Sequence, residues 1–248
     1  MAWRCSGKTN AELVGNLMKS KILQNSNESQ LERISVAMQA VDRAHFVTDK
    51  SAAYTDSPQA IGHGATISAP HMHAYAADHL LPFLRPGSKV LDIGSGSGYL
   101  CAVLHHLVSS HGDDGKVAVS GKVIGIDHIP ELVDWSLQNL KQDERTRRAV
   151  EAKQIEVHAG DGRLGKFSSL QVTGPYDAIH VGAASPTIPE PLVAQLARPG
   201  RMFIPVGTVS QHIIQVDKDA EGNVTETQIM PVNYVPLTDR DKQKPYTW

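Results

Sequence analysis

Apolar residues in the first forty positions recur at helical spacing. Leu13, Leu17 and Met18 form one set; Leu31, Ile34, Met38 and Val41 form a second. Thr9-Asn-Ala-Glu12 fits a capping box that opens the first set, and the polar run from Asn25 to Glu28 separates the two. The pattern predicts two helices within residues 9–42. Periodicity is then lost from 43 to 69, which predicts a long loop, and loops of that length in compact domains are often functional. From Pro70 the pattern predicts a helix to about Leu84, with Ser68 placed to cap it and Arg85-Pro-Gly87 placed to stop it.

Beyond residue 88 the pattern changes to short apolar runs bounded by turn residues. Residues 89–93, 122–126, 154–158, 176–182 and 201–206 read as strands, with Pro205 near the end of the last. Between them, 99–108, a segment from Pro130 and 189–197 read as helices. Leu132, Val133, Leu137 and Leu140 give the second of these one apolar face, and its early proline suits a first turn. The polar, glycine-rich stretch 109–121 reads as a surface loop. His212 to Asp217 and Thr225 to Val235 flank a turn at Glu221-Gly-Asn223, which predicts a terminal antiparallel hairpin. Alternating β and α elements imply an α/β, Rossmann-like fold with a mostly parallel sheet, helices on both faces and one antiparallel edge strand.

Composition narrows the class. The chain has 248 residues with 41% hydrophobic content, which suits one domain over 1–248 with the N-terminal helices as an extension. Lys and Arg number 24 against 26 acids, so no basic excess points to nucleic acid. No run of apolar residues is long enough for a membrane span. Met1-Ala-Trp-Arg4 lacks an apolar signal core, and Cys5 and Cys101 read as reduced thiols, so a cytoplasmic location is expected. No histidine spacing pairs with carboxylates in a ligand pattern, so no metal is expected.

The chemistry concentrates at Val90-Leu-Asp-Ile-Gly-Ser-Gly-Ser-Gly-Tyr-Leu100. An apolar strand carries an acid near its end, then a glycine loop, then an apolar helix. That order places a nucleoside-bearing ligand at the carboxyl edge of a parallel sheet. A dinucleotide loop would have glycine at 99, where this chain has tyrosine. The loop instead resembles that of S-adenosylmethionine (AdoMet)-dependent methyltransferases, where the backbone passes close to the ligand. Two more acids follow strands in turn. Asp127 ends Lys122-Val-Ile-Gly-Ile-Asp127 and would accept from ribose hydroxyls; Asp161 follows Gln154-Ile-Glu-Val-His158 and would meet the adenine amine.

The resemblance goes further than the fold. Tyr54-Thr-Asp-Ser-Pro-Gln59, Ala65-Thr-Ile-Ser-Ala-Pro-His-Met-His-Ala74, Gly160-Asp-Gly-Arg163, Tyr176-Asp-Ala-Ile-His-Val-Gly-Ala183 and Tyr234-Val-Pro-Leu-Thr-Asp239 closely resemble the animal-type protein-L-isoaspartate (D-aspartate) O-methyltransferases. The likeness spans nearly the whole chain; the stretch 109–121 is longer than usual. It implies a repair enzyme that methylates the free α-carboxylate of L-isoaspartyl residues, and the β-carboxylate of D-aspartyl residues, in damaged proteins and peptides; a monomer is the expectation for an enzyme that must admit such large substrates. The ester then returns through succinimide toward normal aspartate.

By this resemblance Ser68 is the catalytic residue, its hydroxyl aiming the substrate carboxylate; a role as helix cap is the alternative and the two can coexist. Ala65, Thr66, Ile67 and His73 share the cofactor wall with Ser68. Without the resemblance, His71 and His73 read as partners of local backbone. Asp92, Gly94, Ser95 and Gly96 are assigned to the methionine end of AdoMet, Asp127 and His128 to ribose and adenine, and Asp161 and Gly162 to adenine. Thr238 and Gln243 are assigned to closure over the cofactor, against the alternative of an ordinary solvated segment. Ile67, Ser68, Val181, Gly182, Ala183 and Val235 are assigned to the peptide. The core motifs alone also allow a methyltransferase for a small molecule or nucleic acid, and an idle binding module is a third reading. Asp114-Gly115, a sequence prone to succinimide formation, falls in the predicted 109–121 loop.

Overall fold

The computed structural model describes residues 5–20, 22–23, 25–111, 117–164, 174–238 and 243. Its elements run α1 (Asn10–Lys19), α2 (Glu28–Gln39), β1 (Gln59–Gly62), β2 (Ala65–Ile67), α3 (Pro70–Leu80), β3 (Lys89–Ile93), α4 (Tyr99–Leu107), β4 (Ser110–His111), β5 (Val117–Val119), β6 (Lys122–Asp127), α5 (Pro130–Leu140), α6 (Glu144–Glu151), β7 (Ile155–Ala159), β8 (Tyr176–Val181), α7 (Glu190–Gln195), β9 (Leu196–Val206), β10 (Gln211–Lys218) and β11 (Val224–Val232).

Seven strands form one sheet in the order β11-β10-β9-β8-β3-β6-β7. β3 pairs in parallel with both β6 and β8, so the chain leaves it first to one side and later to the other. That reversal opens a crevice at the carboxyl ends of the strands. The central strands are buried on both faces, as their unbroken apolar runs require. Val90, Val123 and Ile155 face a core shared with α1 to α5, while Leu91, Ile124, Ile179 and Met202 face a second core that includes Leu192 of α7. Leu13, Leu17, Ile34 and Met38 lie fully inside the first core, so α1 and α2 are packed flanks.

Several expectations change. Residues 43–69 are not a plain loop. They hold two 3-10 turns (Arg43–Phe46 and Lys50–Ala52) and the β1-β2 hairpin, whose tight turn Gly62-His63-Gly64 has positive φ throughout. The helix from Pro70 ends at Leu80 and gives way to a 3-10 turn at Leu81–Phe83, because Pro82 has no N–H to continue it. Ser68 does not cap α3; the N-cap is Ala69, with no side-chain bond. Thr9 caps α1 through Glu12 N, but Glu12 returns its bond to Lys8 N, so the box is not closed on the cap residue. Part of the 109–121 stretch is a hairpin of β4 and β5, too short to show a period; Asp114-Gly115 lies outside the described residues. Helix 189–197 is shortened at both ends: Pro189 is its extended N-cap, and Leu196 already pairs with Tyr176 of β8. The reversed strand is β10, not the edge; β11 pairs outside it and forms the edge. α6 was not expected, because Glu144-Arg-Thr-Arg-Arg-Ala-Val-Glu151 carries little apolar signal and buries only Thr146 and Ala149.

Candidate active site

The site begins at the carboxyl end of β3. Asp92 is 1% exposed. Its Oδ1 accepts from His180 Nδ1 at 2.7 Å, and its Oδ2 accepts from Cys101 Sγ at 3.2 Å. His180 stands opposite Asp92 on β8, and Gly125 stands opposite on β6. A methyl group at Gly125 would lie 2.9 Å from Cys101 Sγ and 3.0 Å from Ser95 Cβ, so β6 leaves room there for the thiol and the loop. The loop folds back through Gly94 N and Ser95 N to Ile126 O, at 2.8 and 3.0 Å. Gly96 has φ +48°, and its N–H donates to Asp127 Oδ2 at 3.0 Å. Asp127 Oδ1 accepts from Ile129 N at 3.0 Å. Burial raises the Asp127 pKa, against the pull of these two backbone bonds.

Three neighbouring cavities meet at Thr66, and two of them reach this loop. The first, about 450 Å³, runs from Ala65 and Thr66 past Gly94 and Gly96 to Asp127, His128, Asp161 and Gly162. Gly182, Ala183, Val235, Thr238 and Gln243 close its other side. The second is a chamber of about 30 Å³ among Thr66, Ile67, Ser68, His73, Asp92, Ser95 and His180. That is room for a reacting group, not for a whole ligand. The third is a cleft of about 490 Å³ on the far side of Ser68, walled by Pro58, His71, Met72, Met230, Asn233 and Tyr234. Thr66 borders all three, and Ser68 borders the chamber and the cleft.

The Ser68 wall is held by residues distant in sequence. Asp56 is fully buried, and its Oδ1 accepts from His71 N at 3.0 Å and His71 Nδ1 at 2.8 Å. Asp56 thus serves the N-terminal turn of α3, so the Ser68 hydroxyl is not needed as its cap and turns toward Tyr234 and the cleft. Arg43 Nη2 donates to Ser68 O at 2.8 Å, and Arg43 Nη1 approaches His73 Nδ1 at 3.4 Å. Both histidines therefore bond to side chains, not to the local backbone expected from spacing. Burial, then Arg43, His180 and His71, hold His73 well below the usual histidine range, so it is neutral at neutral pH.

A strap after β11 covers the crevice. The Gln211 side chain grips Tyr234 by both backbone groups: Tyr234 N donates to Gln211 Oε1 at 2.6 Å, and Gln211 Nε2 donates to Tyr234 O at 3.1 Å. Ala184 N donates to Val235 O at 2.8 Å and Leu237 N to Ala184 O at 2.7 Å, which lays the strap along the chain leaving β8. Gln243 Nε2 donates to His63 O at 2.9 Å, and its Oε1 bonds His128 Nε2 across the cavity mouth. Burial pushes the Tyr234 phenol up to about 12, and a hydrogen bond with the Ser68 side chain pulls the other way.

The family model for protein-L-isoaspartate(D-aspartate) O-methyltransferase matches residues 8–242. The chain belongs to this O-methyltransferase family. It is 46% identical over 221 residues to protein-L-isoaspartate O-methyltransferase 1 of Arabidopsis thaliana, covering 89% of this chain and 90% of the relative. It is 42% identical over 245 residues to the Caenorhabditis elegans protein-L-isoaspartate O-methyltransferase, covering 98% of each. A Plasmodium falciparum structure described as a protein-L-isoaspartate O-methyltransferase in complex with S-adenosyl-L-homocysteine superposes with a TM-score of 0.79 at 29% identity, over 94% of this chain and 99% of that one. The activity of this O-methyltransferase is AdoMet-dependent repair of isoaspartyl proteins.

The residues of this O-methyltransferase fit AdoMet. The 450 Å³ cavity has the size of a small-ligand site, roughly 300–1,000 Å³. Ser95 Oγ is buried and has no partner. A methyl group at Gly162 would lie 2.2 Å from Ile93 Cγ2, so only glycine lets the turn after β7 approach the end of β3. Every site residue expected from sequence borders one of the three cavities except Val181, which is buried in β8 and borders none of them. Gly182 lines the site, though its N–H is engaged by Ile93 O at 2.7 Å, and the Val235 carbonyl is engaged by Ala184. Asp161 lines the cavity, but its carboxylate is held by Arg163 Nη2 at 2.6 Å. The sequence reading gave no role to His180, Arg43, Asp56, Tyr234 or Gln211. His180 had a signal, since it sits in a strand beside Asp92; the others meet the site only through tertiary contacts. Among the described residues no group of three His, Cys, Asp or Glu is arranged to hold a metal, and no helix is long and apolar enough to cross a membrane.

Proposed function

We propose that the Ser68 hydroxyl donates to the isoaspartyl α-carboxylate in the small chamber. The observation that carries this is the position of Ser68, on the border between the chamber and the open cleft. The substrate carboxylate is already ionised at pH 7, so it needs no base. AdoMet, when bound, supplies a methyl group already activated on a sulfonium. The protein's task is orientation, which can contribute roughly 7–11 kcal/mol to lowering a barrier. Asp92, Gly94, Ser95 and Gly96 hold the methionine end; Asp127 and His128 hold the ribose and adenine; Asp161 and Gly162 hold the adenine. Thr66, Ile67 and His73 shape the wall beside Ser68, with Ala65 at its start. Thr238 and Gln243 close over the cofactor. The peptide lies in the cleft, against Val235, with its reacting end reaching toward Gly182 and Ala183 on the cofactor side.

The same proposal takes the animal-type form of the enzyme, supported by the end-to-end match with the nematode relative. It includes D-aspartyl residues as secondary substrates, a single domain over 1–248, a monomer and a cytoplasmic location. The test uses two synthetic peptides with L-isoaspartate or normal aspartate at one position and labelled AdoMet. Transfer is expected only to the isoaspartyl peptide. In Ser68→Ala, turnover is expected to fall about tenfold to a hundredfold with affinity for S-adenosylhomocysteine (AdoHcy) unchanged, as loss of a hydrogen bond to a charged group implies. Full activity in Ser68→Ala removes the role given to that hydroxyl. Transfer to neither peptide, with AdoMet bound, returns the chain to the binding-module reading.

A further inference from the structure

Arg43 is the largest fully buried side chain among the described residues, and the mechanism above leaves its charge without a task. It has no ion pair with a carboxylate among the described residues. Nη2 donates to Ser68 O, Nη1 approaches His73 Nδ1, and the guanidinium carbon lies 5.4 Å from the centre of the Tyr99 ring. Nε is buried without a partner. Asp56 acts on Arg43 only from a distance, because its Oδ1 is taken by His71; its Oδ2 has no partner. Burial lowers the Arg43 pKa to about 10, so the side chain keeps its charge at neutral pH, while neighbouring His73 is neutral.

A buried cation without a bonded counter-ion is costly, and stability alone would favour an apolar residue here. The location offers a reason. Arg43 stands directly behind the peptide group of Ser68, whose front borders the chamber. Asp92 already brings a carboxylate to that chamber. A second carboxylate entering beside it is repelled unless a positive charge lies close. Inside the protein, salt screens this field little, and it acts more strongly than in water.

We propose that Arg43 is a positioning residue for the methyl acceptor: it fixes the Ser68 peptide group from behind and supplies the positive field that draws the isoaspartyl α-carboxylate to the Ser68 hydroxyl. The proposal rests on the substrate reading of Ser68. It turns an apparent flaw of the core, a half-satisfied guanidinium, into a device completed when the anionic substrate arrives.

The test compares binding of two peptides to AdoHcy-loaded enzyme. One carries L-isoaspartate; the other is identical but has a carboxamide in place of the α-carboxylate. The wild type is expected to prefer the carboxylate. In Arg43→Gln that preference is expected to fall about tenfold, with amide-peptide affinity little changed, and Arg43→Lys is expected to restore most of it. A loss shared equally by both peptides would show a purely structural tie and overturn the proposal. No preference in the wild type would defeat the Ser68 reading itself, before Arg43 is at issue. Should Arg43→Gln fail to fold, Asp56→Asn provides an independent arm. Asparagine can still accept from the α3 backbone, yet removes the opposing charge, so the carboxylate preference should rise. An unchanged or reduced preference there would count against the field.

Discussion

The two walls of the active site are built by different means. The cofactor wall, from Asp92 through Gly98 and on to Asp127 and Gly162, is made by backbone. Its shape comes from glycines, from N–H groups turned onto Ile126 O and Asp127, and from parallel strands that end side by side. The acceptor wall, from Thr66 to His73, is held by side chains reaching from elsewhere: the buried Arg43 and Asp56 and, across the cleft, Tyr234. A backbone wall is written locally in the chain. A side-chain wall is written across it, so its supports have no local signature.

The largest effect should come from breaking the backbone wall. Gly162→Ala places a methyl group against Ile93, whose side chain is buried in β3 and has nowhere to go. The expected result is about 1–3 kcal/mol of lost stability and about a hundredfold lower methyl transfer, since a small displacement misplaces the reacting groups. Denaturant unfolding and AdoHcy calorimetry check both; a variant with wild-type affinity would show that the turn does not shape the cofactor site.

Asp56→Ala is the matching blow to the other wall. It removes the acceptor for His71 N and Nδ1 and should cost about 1–2 kcal/mol, as loss of a helix cap does. Peptide KM should rise while AdoHcy affinity stays within error. A fall in cofactor affinity instead would mean that the two walls are not separable.

Most of the sheet and the cofactor wall could be read from the chain, because both follow short periods and glycine spacing. Strand 89–93 and the acids at 92 and 127 needed only local pattern. What escaped was short, polar or distant. β1 and β2 are brief strands around a Gly62-His63-Gly64 turn. α6 is polar almost all round, so no apolar stripe marks it. Arg43 and Asp56 look like ordinary charged residues in sequence; only the fold buries them. Ser68 as a helix cap failed for the same reason, since Asp56 reaches that turn from outside the segment.

A pH series sharpens the comparison. The Asp127 pKa is raised by burial, so its ionised form lowers stability at neutral pH, and that penalty is relieved as pH falls through the raised value. Ribose hydroxyls need the ionised carboxylate as acceptor, so AdoHcy affinity should fall over the same interval. Asp127→Asn should flatten the affinity profile. An unchanged slope would place the titrating group elsewhere.

The smallest effect is expected at the strap. Gln211→Ala deletes the two bonds to the Tyr234 backbone, and about 1 kcal/mol of stability should go with them. A few-fold rise in KM for peptide would mark Tyr234 as loosened; a rise for AdoMet alone would shift the role of the strap to the cofactor side.

Cys101 gives this architecture a built-in clock. Its thiol is fully buried and bonded to Asp92, and burial with that carboxylate raises its pKa well above the usual thiol value. A reagent can reach it only when the β3–α4 junction comes apart. Its labelling rate therefore counts how often the heart of the cofactor wall opens, and a bound cofactor would slow the count in proportion to its grip.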